Sequence, residues 1–427
     1  MIRILPIDSF SREEIFARFD PPASVEAPVS AILKRVKTEG DKALFELTEK
    51  FDGVRLSSLE VSEEEKKEAL EKVDPAFLSV LREAAEHIRA FHEKQKREGF
   101  EFSPREGVIL GQKITPIAKA GLYVPGGKAA YPSTVLMDAI PAKIAGCRLL
   151  MIATPPRKDG SVAPEILAAA ETAGVDRIFK LGGAQAIGAM AYGTESVPKA
   201  DKIVGPGNAF VAEAKKQVFG EVAIDMIAGP SEILVVADGN NSPRRIAADL
   251  ISQAEHDQMA SAVLVTDSLS FAEKVRKEIE DQLAALPREA IARASIEQNG
   301  KIIVTKDLSQ AIEAANEIAP EHLELCVDDP FLWLGKVQNA GSVFLGRDCP
   351  EAAGDYFAGP NHTLPTGGTA RFSSPLSADD FVKKIQYTHY TPEALKKEAE
   401  KIALFAETEG LSGHARSALS RLEEKEK

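Results

Sequence analysis

The chain is poor in cysteine and histidine, with 3 Cys and 7 His among its 427 residues. The cysteines, Cys147, Cys326 and Cys349, are scattered, and none belongs to a CxxC pair. This excludes a disulfide framework and argues against a zinc site built from thiolates. Scattered thiols indicate a reducing compartment, so we predict a cytoplasmic protein.

Long apolar runs and an excess of positive charge are also lacking. Residues 1–8 contain no stretch long enough for a signal peptide, and runs such as 148–153 are too short to cross a bilayer. Asp and Glu number 65 against 52 Lys and Arg, a formal net charge of -13. A basic surface for nucleic acid is therefore disfavoured. We expect a soluble protein with no nucleic-acid and no membrane partner.

The charge-rich segment 11–105 has helical patterning. Two S-x-x-E capping boxes and one Asp-Pro step mark helix starts at Ser11, Ser62 and Asp74. His87 and His92 fall on the last of these helices, five residues apart, and do not stack on one face. We expect both to lie on a solvated, charged surface.

From about residue 107 onwards, short apolar or β-branched runs alternate with Ala-rich segments of helical length. This alternation predicts an α/β fold with mostly parallel strands. The runs are too numerous for one compact sheet, so we expect two sheets in two α/β domains. The tail from about 377 is charged and has no strand candidate, which predicts a small helical unit.

Glycine is concentrated at three strand-to-helix junctions, 121–127, 181–186 and 205–208. Such turns let a ligand approach the backbone, and a helix N-terminus favours phosphate. None reads GxGxxG, so the standard dinucleotide fingerprint is absent. A single turn of this kind is an ordinary connection between a strand and a helix. Three within a hundred residues favour a nucleotide-sized ligand.

Metal ligands are offered by two segments. Gln253 and His256 are three apart at the end of a predicted helix and so share a face. Asp355 and His362 lie in 352–368, which holds too many Gly and Pro for regular structure. Asp355 offers an oxygen ligand for zinc. Helix capping by His256 and turn support by Asp355 stay open as alternatives.

Proton-transfer candidates stand at a strand start. Glu321 could activate a water, and His322 could move protons near neutral pH. Neighbouring strand residues face opposite sides, so both serve one site only if Pro320 keeps the backbone irregular. In the tail, His414 follows Glu409 in a loop between helices, and nothing local joins them to the other candidates.

A cysteine nucleophile is the alternative chemistry. Aldehyde oxidation often proceeds through a thiolate, and Cys349 is the best candidate in this chain. Only Arg347 is near in sequence to lower its pKa, so a structural cysteine is favoured. His389 we interpret as a packing or capping residue.

Taken together, the motifs resemble the histidinol dehydrogenase family over essentially the whole chain. The matching segments run in one order: 123–127, 182–187, 205–210, 224–232, 252–256, 320–324, 354–356, 361–365 and 409–414. The resemblance implies oxidation of L-histidinol to L-histidine through L-histidinaldehyde, with two NAD, at the end of histidine biosynthesis. It also implies one Zn²⁺ per subunit and a homodimer with active sites shared between subunits.

Residue roles follow from the same resemblance, motif by motif. Glu321 and His322 correspond to the acid–base pair. The implied zinc ligands are Gln253, His256, Asp355 and His414. The implied substrate contacts are Ser231, Gln253, His256, His322, Asp355, His362, Glu409 and His414. The implied NAD contacts are Tyr123, Gln185 and Asn208. Glu409 and His414 would come from the partner subunit.

The implied fold is α/β, with two incomplete, aldehyde-dehydrogenase-like Rossmann domains and small helical units at each end. The predicted limits are an N-terminal unit 1–20, a first α/β domain 21–122 with 233–376, an NAD-binding domain 123–232 and a C-terminal unit 377–427.

The implied chemistry agrees with the residues, because zinc could anchor the imidazole and amine of histidinol while His322 takes the alcohol proton. A cysteine is then unnecessary. Three other functions stay open: a zinc dehydrogenase of another amino alcohol, a non-catalytic nucleotide-binding protein and a metal hydrolase.

Overall fold

The computed structural model describes residues 1–16, 24–126 and 130–423. The chain forms two compact units. The first comprises Met1–Gln95 and Ile117–Phe381, and the second comprises Lys96–Pro116 and the segment from Val382 onwards. Within the described residues, no helix is both long and apolar enough to cross a membrane.

The strands of the described residues are β1 (Arg3–Pro6), β2 (Phe100–Arg105), β3 (Val108–Pro116), β4 (Lys119–Tyr123), β5 (Leu149–Thr154), β6 (Arg177–Lys180), β7 (Lys202–Val204), β8 (Ala223–Ile224), β9 (Glu232–Ala237), β10 (Ser261–Thr266), β11 (Lys301–Val304), β12 (His322–Cys326), β13 (Ser342–Leu345) and β14 (Val382–Tyr390).

The helices are α1 (Arg12–Phe16), α2 (Glu26–Glu39), α3 (Asp41–Asp52), α4 (Glu63–Leu70), α5 (Pro75–Glu93), α6 (Pro132–Ala145), α7 (Pro164–Ala173), α8 (Gly183–Tyr192), α9 (Ala209–Val218), α10 (Pro243–Ala254), α11 (Leu269–Leu283), α12 (Glu289–Gln298), α13 (Leu308–Ile318), α14 (Pro330–Leu334), α15 (Glu351–Tyr356), α16 (Pro392–Thr408) and α17 (Ser412–Glu423), with 3-10 turns at Thr369–Arg371 and Ala378–Phe381. All three predicted helix starts carry their caps: Ser11 and Ser62 complete capping boxes, and Asp74 accepts the Ala76 N–H.

The first unit contains two parallel sheets. One has five strands in the order β6-β5-β4-β7-β8, and the other has six in the order β1-β11-β10-β9-β12-β13. Apart from the edge strand β1, the two sheets have the same strand order. Each begins with an inner strand, β4 or β9; the next two strands add on one side of it, and the last two add on the other side. Apolar strands buried on both faces favour this parallel arrangement, and the predicted α/β class is confirmed.

The N-terminal helices cover the five-stranded sheet. Leu81 and Ile88 of α5 pack in one core with Leu122, while Leu33 and Leu44 share a second core with residues of the same sheet. These helices belong to the segment 21–122, which was predicted to share a domain with 233–376, and the limits of the two α/β domains stay a prediction. The helices precede β4 in the chain and shield both faces of its sheet. The N-terminus likewise is not purely helical, since β1 pairs with β11.

The second unit corrects the prediction of a tail without strands. β14 pairs antiparallel with β3, which pairs with β2, and α16 and α17 pack against each other through alanines. Seven of the nine β14 residues are exposed, including His389. A strand that buries neither face needs no apolar alternation, and none marked it in the sequence. The same exposure hid β2, which lies in the segment that was predicted to be helical.

His92 corrects the expectation of a solvated histidine pair. Its side chain is fully buried, with Nδ1 2.7 Å from Gln95 Oε1 and Nε2 3.4 Å from Asn361 Nδ2. His92 continues the buried stripe of α5 at helical spacing from Ile88, so the apolar face reaches the end of the helix. His87 is half-buried, and its Nδ1 lies 2.8 Å from the Phe357 carbonyl oxygen.

Candidate active site

Glu321 and His322 meet at the amino end of β9. Helix α13 ends at Ile318, and the next residue, Ala319, has a φ of 50°, so the backbone is irregular just before β12. The Glu232 N–H donates to Glu321 Oε2 at 2.8 Å, and His322 Nδ1 lies 2.9 Å from the Glu232 carbonyl oxygen. Both side chains are thus held by the first residue of β9, 3.7 Å apart.

The tautomer of His322 follows from this contact. A carbonyl oxygen can only accept, so Nδ1 carries the hydrogen and Nε2 is the atom directed into the site. Nε2 is buried, has no hydrogen-bond partner among the described residues, and lies 3.7 Å from Glu351 Oε1 and 3.8 Å from Asp355 Oδ1. This geometry suits a group that takes a proton from a bound molecule.

Burial and charge shift the pKa values of these groups. Burial opposes charge on His322, but the carboxylates of Glu321, Glu351 and Asp355 outweigh it and raise the His322 pKa to about 10. Burial raises the pKa of Glu321 to about 7, although the neighbouring histidine opposes this. For Asp355, burial is outweighed by His322 and His362, and the pKa falls below its usual range. The Asp355 carboxylate thus carries the clearest negative charge of the pocket, and the protonated His322 ring compensates it.

Gln253 and His256 stand at the C-terminal end of α10. Gln253 is 2% exposed, and its Oε1 has no hydrogen-bond partner among the described residues. An unpaired buried amide oxygen is costly, and a metal ion would satisfy it. Burial lowers the pKa of His256, although the Asp355 charge partly offsets the effect. A lowered pKa favours the neutral imidazole, the form that binds a metal.

His362 approaches the same carboxylate from the loop after α15. Its Nδ1 lies 3.1 Å from the Asp355 carbonyl oxygen and its Nε2 3.3 Å from Thr134 Oγ1. Burial lowers the pKa of this imidazole. The segment 352–368 is more regular than predicted, because Asp355 belongs to the short helix α15. The His362, His322 and Asp355 side chains are thus brought together.

Glu351 and Thr134 are site residues that the sequence interpretation missed. Glu351 is 3% exposed, has an unpartnered Oε1, and stands one helical turn before Asp355. Its ligand atom lies within 4.8 Å of those of His322 and Asp355, so the three form a possible cation cluster. The i, i+4 spacing from Asp355 was a usable signal. Nothing in the sequence connected Thr134 with residue 362.

A cavity of about 340 Å³ opens beside His256. Its wall is mostly apolar, with lining residues that include Leu81, Tyr131, Pro132, Glu255, Arg288 and Phe357. Ser231, the predicted substrate contact, is partly exposed just before β9, and its carbonyl oxygen accepts the Ser261 N–H at 2.9 Å. There is thus room for a small organic molecule beside His256.

The predicted cofactor residues lie at the carboxyl edge of the five-stranded sheet. Tyr123 ends β4 and accepts the Gly183 N–H at 3.0 Å through its hydroxyl oxygen. Gln185 is buried in the first turn of α8. Asn208 caps α9 by accepting the N–H groups of the second and third helical residues. These residues surround the point between β4 and β7 where the strand order reverses, the usual ligand site of such sheets.

Glu409 and His414 belong to the second unit. Both are exposed at the junction of α16 and α17 and line one shallow groove with Ile402, Phe405 and Leu411. Their assignment to a partner subunit's site stays a prediction.

The cysteines offer little to a covalent mechanism. All three are free, and Cys147 and Cys326 are buried. Burial raises the pKa of Cys147 to about 11, and burial with the Glu324 charge raises that of Cys326 further. Neither thiol is a thiolate near neutral pH. Cys349 is partly exposed ahead of α15.

Comparison with known proteins identifies the family. The histidinol dehydrogenase family model matches residues 19–422. The histidinol dehydrogenase of Syntrophotalea carbinolica is 55% identical over 406 residues, covering 95% of this chain and 94% of the relative. That of Listeria monocytogenes is 54% identical over 400 residues, with 94% and 93% covered. The crystal structure of histidinol dehydrogenase from Elizabethkingia anophelis superposes with a TM-score of 0.93 at 40% identity, covering 99% of this chain and 98% of that chain. This chain therefore belongs to the histidinol dehydrogenase family, a family of oxidoreductases.

Proposed function

We propose that this protein oxidises L-histidinol to L-histidine through L-histidinaldehyde, with NAD as the oxidant and a bound Zn²⁺. The observation that carries the proposal is the pair of buried, unpartnered atoms His322 Nε2 and Glu351 Oε1, which cluster with the Asp355 carboxylate. Gln253 Oε1, at the end of α10, is likewise buried and unpartnered. Such a set is costly in an empty pocket and suits a cationic ligand and a reacting hydroxyl.

The first oxidation needs a base for the alcohol proton. His322 Nε2 is the free ring nitrogen, and the Glu232 carbonyl holds Nδ1–H so that the ring cannot turn away. Asp355 favours the protonated ring after transfer. NAD supplies the hydride acceptor in each of the two oxidations.

The second oxidation needs water added to the aldehyde. Glu321 suits this task, because burial raises its pKa to about 7, close to the working pH of a general base. The Glu232 N–H fixes one carboxylate oxygen at 2.8 Å. The same His322 then takes the proton of the hydrate as the second hydride leaves.

The proposed metal ligands are Gln253, His256 and Asp355 of one subunit, with His414 of the partner subunit as a further ligand. The donors are one amide oxygen, one neutral imidazole and one carboxylate, a set that suits zinc. Bound Zn²⁺ would supply a Lewis-acidic anchor for the substrate nitrogens. Its charge would offset Asp355 and bring the His322 pKa down towards the range of a base.

One assay tests the proposal. NADH is counted per L-histidinol consumed, before and after chelation and after Zn²⁺ is restored. We expect two NADH per substrate with metal and almost none without. His322→Ala should bind substrate but lose the first oxidation, Glu321→Gln should lose chiefly the conversion of histidinaldehyde, and the exposed His389→Ala is the control. Normal turnover by His322→Ala, or by the metal-free protein, would refute the assignment.

We also propose a homodimer in which Glu409 and His414 complete the partner subunit's site. Their exposure in one groove of the second unit supports a role at an interface. Mixing inactive His322→Ala with inactive His414→Ala subunits tests it. If the tail acts on the partner, each mixed dimer keeps one intact site and about a quarter of the wild-type activity returns. If the tail acts within its own chain, no activity returns.

A further inference from the structure

One peptide in the candidate cofactor site, that of Gly205, is held from both sides. Gly205 directly follows β7 and has a φ of 113°, a conformation that residues with a Cβ rarely adopt. A Cβ there would press against the Tyr123 carbonyl oxygen and lie 3.0 Å from Asp138 Oδ2. The turn at 205–208 therefore fits tightly against the end of β4, at the point where the strand order of the sheet reverses.

Two buried charged side chains make the contacts. Lys215 Nζ donates to the Gly205 carbonyl oxygen at 2.9 Å, and the Gly205 N–H donates to Asp225 Oδ2 at 2.8 Å. Lys215 and Asp225 also form an ion pair with each other, with side chains 2% and 1% exposed. Lys215 lies on α9 and Asp225 directly follows β8, so the pair ties the turn to elements on both sides.

The cost of burying this pair suggests more than a structural role. Apolar residues of similar size usually replace a buried ion pair without loss of stability, so such a pair is weak support for a fold. What apolar residues could not supply here are the two hydrogen bonds to Gly205. Those bonds fix the start of the turn that leads to Asn208 and to the N-terminus of α9.

We propose that Lys215 and Asp225 are positioning residues for the cofactor: they hold the Gly205 peptide in its left-handed conformation and so shape the surface on which NAD binds. The inference rests on the proposed NAD dependence. It concerns residues that touch the turn and not the reacting atoms. Their loss should weaken NAD binding while leaving L-histidinol binding largely unchanged.

The test separates binding from stability. Lys215→Met/Asp225→Leu removes both bonds to Gly205 without leaving an unpaired buried charge. We expect the double variant to keep its melting temperature within a few degrees, with an NAD dissociation constant raised about tenfold or more, the effect of two lost buried hydrogen bonds. Asp225→Asn keeps an acceptor for the Gly205 N–H but breaks the ion pair. It should melt earlier and still bind NAD nearly as the wild type does.

The control is Arg177→Met/Glu60→Leu, which removes a two-bond ion pair at the amino edge of the same sheet and should leave NAD binding unchanged. NAD binding is titrated calorimetrically on the zinc-loaded protein. If wild type itself neither binds NAD nor reduces it, the proposed function fails. If wild type binds NAD and the double variant binds it equally well, only the positioning role is refuted. Should the double variant not fold, weak NAD binding by Asp225→Asn would refute it.

Discussion

Asp138 should make the stability of this protein depend on pH in a direction opposite to that of most carboxylates. The side chain is fully buried in α6, with Oδ1 accepting the Thr363 hydroxyl at 2.9 Å and no hydrogen-bond partner for Oδ2 among the described residues. Burial, and next the charge of Asp225, raise its pKa from 3.8 to about 8. Between these values the folded chain keeps a proton that the unfolded chain releases, so the free energy of unfolding falls as the pH rises.

The magnitude follows from the width of that window. Each pH unit inside it costs the folded state about 1.4 kcal/mol, so roughly 3 kcal/mol is lost between about pH 5 and pH 7. Asp138→Asn keeps the acceptor for Thr363 and cannot ionise. Its stability relative to wild type should therefore rise steadily over this range.

Urea unfolding at several pH values measures the difference between variant and wild type. Asp348→Asn, which removes a surface carboxylate that is 88% exposed, is the control. The slope with pH is the decisive quantity, because the intrinsic cost of the Asn side chain does not change with pH. A stability difference that stays constant between pH 5 and pH 7 would refute the buried, protonated carboxyl.

Three further predictions concern single residues. Gly205→Ala should impair folding or NAD binding severely, because the added Cβ would meet the Tyr123 carbonyl oxygen. Gly220 has a φ of 101° but open space around it, so Gly220→Ala should lower the free energy of unfolding in urea by only about 1–2 kcal/mol. Cys349→Ser should retain steady-state activity, whereas a thiolate mechanism requires its loss. Gln253→Ala should lower zinc affinity in competition with a chromophoric chelator by about tenfold or more, and unchanged affinity would remove it from the ligand set.

Residue type and position made Glu321 and His322 candidates for proton transfer, and the family resemblance paired them; their roles stay a prediction. An irregular backbone at Pro320 was the condition for both to serve one site, and the structure has the irregularity at Ala319, so that Glu321 and His322 both reach β9. Glu351 was missed because an acidic residue at a helix start is ordinary on a surface, and its spacing from Asp355 has meaning only on a helix, which was not predicted there. In the structure its burial beside His322 distinguishes it. Burial depends on the tertiary fold and is not written in a local pattern.

Elements without a buried face were the ones that sequence patterns missed. β2 and β14 expose most of their residues, so they lack the alternation that marks a half-buried strand. The prediction for His92 was wrong for a different reason. Its charged neighbours in the sequence suggested a solvent-exposed helix face, yet α5 buries the side chain beside Asn361. The shared strand order of the two sheets also could not be predicted from residue patterns, because the sequence contains no internal repeat that corresponds to it.

The two candidate sites use opposite edges of their sheets, and helix electrostatics gives a reason. At the carboxyl edge of the five-stranded sheet, α8 and α9 begin, and the partial positive charge of their N-termini suits the phosphates of a dinucleotide. At the amino edge of the six-stranded sheet, where β9 and β12 begin, α10 ends beside Gln253 and His256. A helix C-terminus carries partial negative charge and favours a cation. The Asp355 carboxylate is negative as well, so helix and side chain together favour a metal ion and a cationic amino alcohol at the amino edge of the six-stranded sheet. The helix N-termini favour an anionic cofactor at the carboxyl edge of the five-stranded sheet.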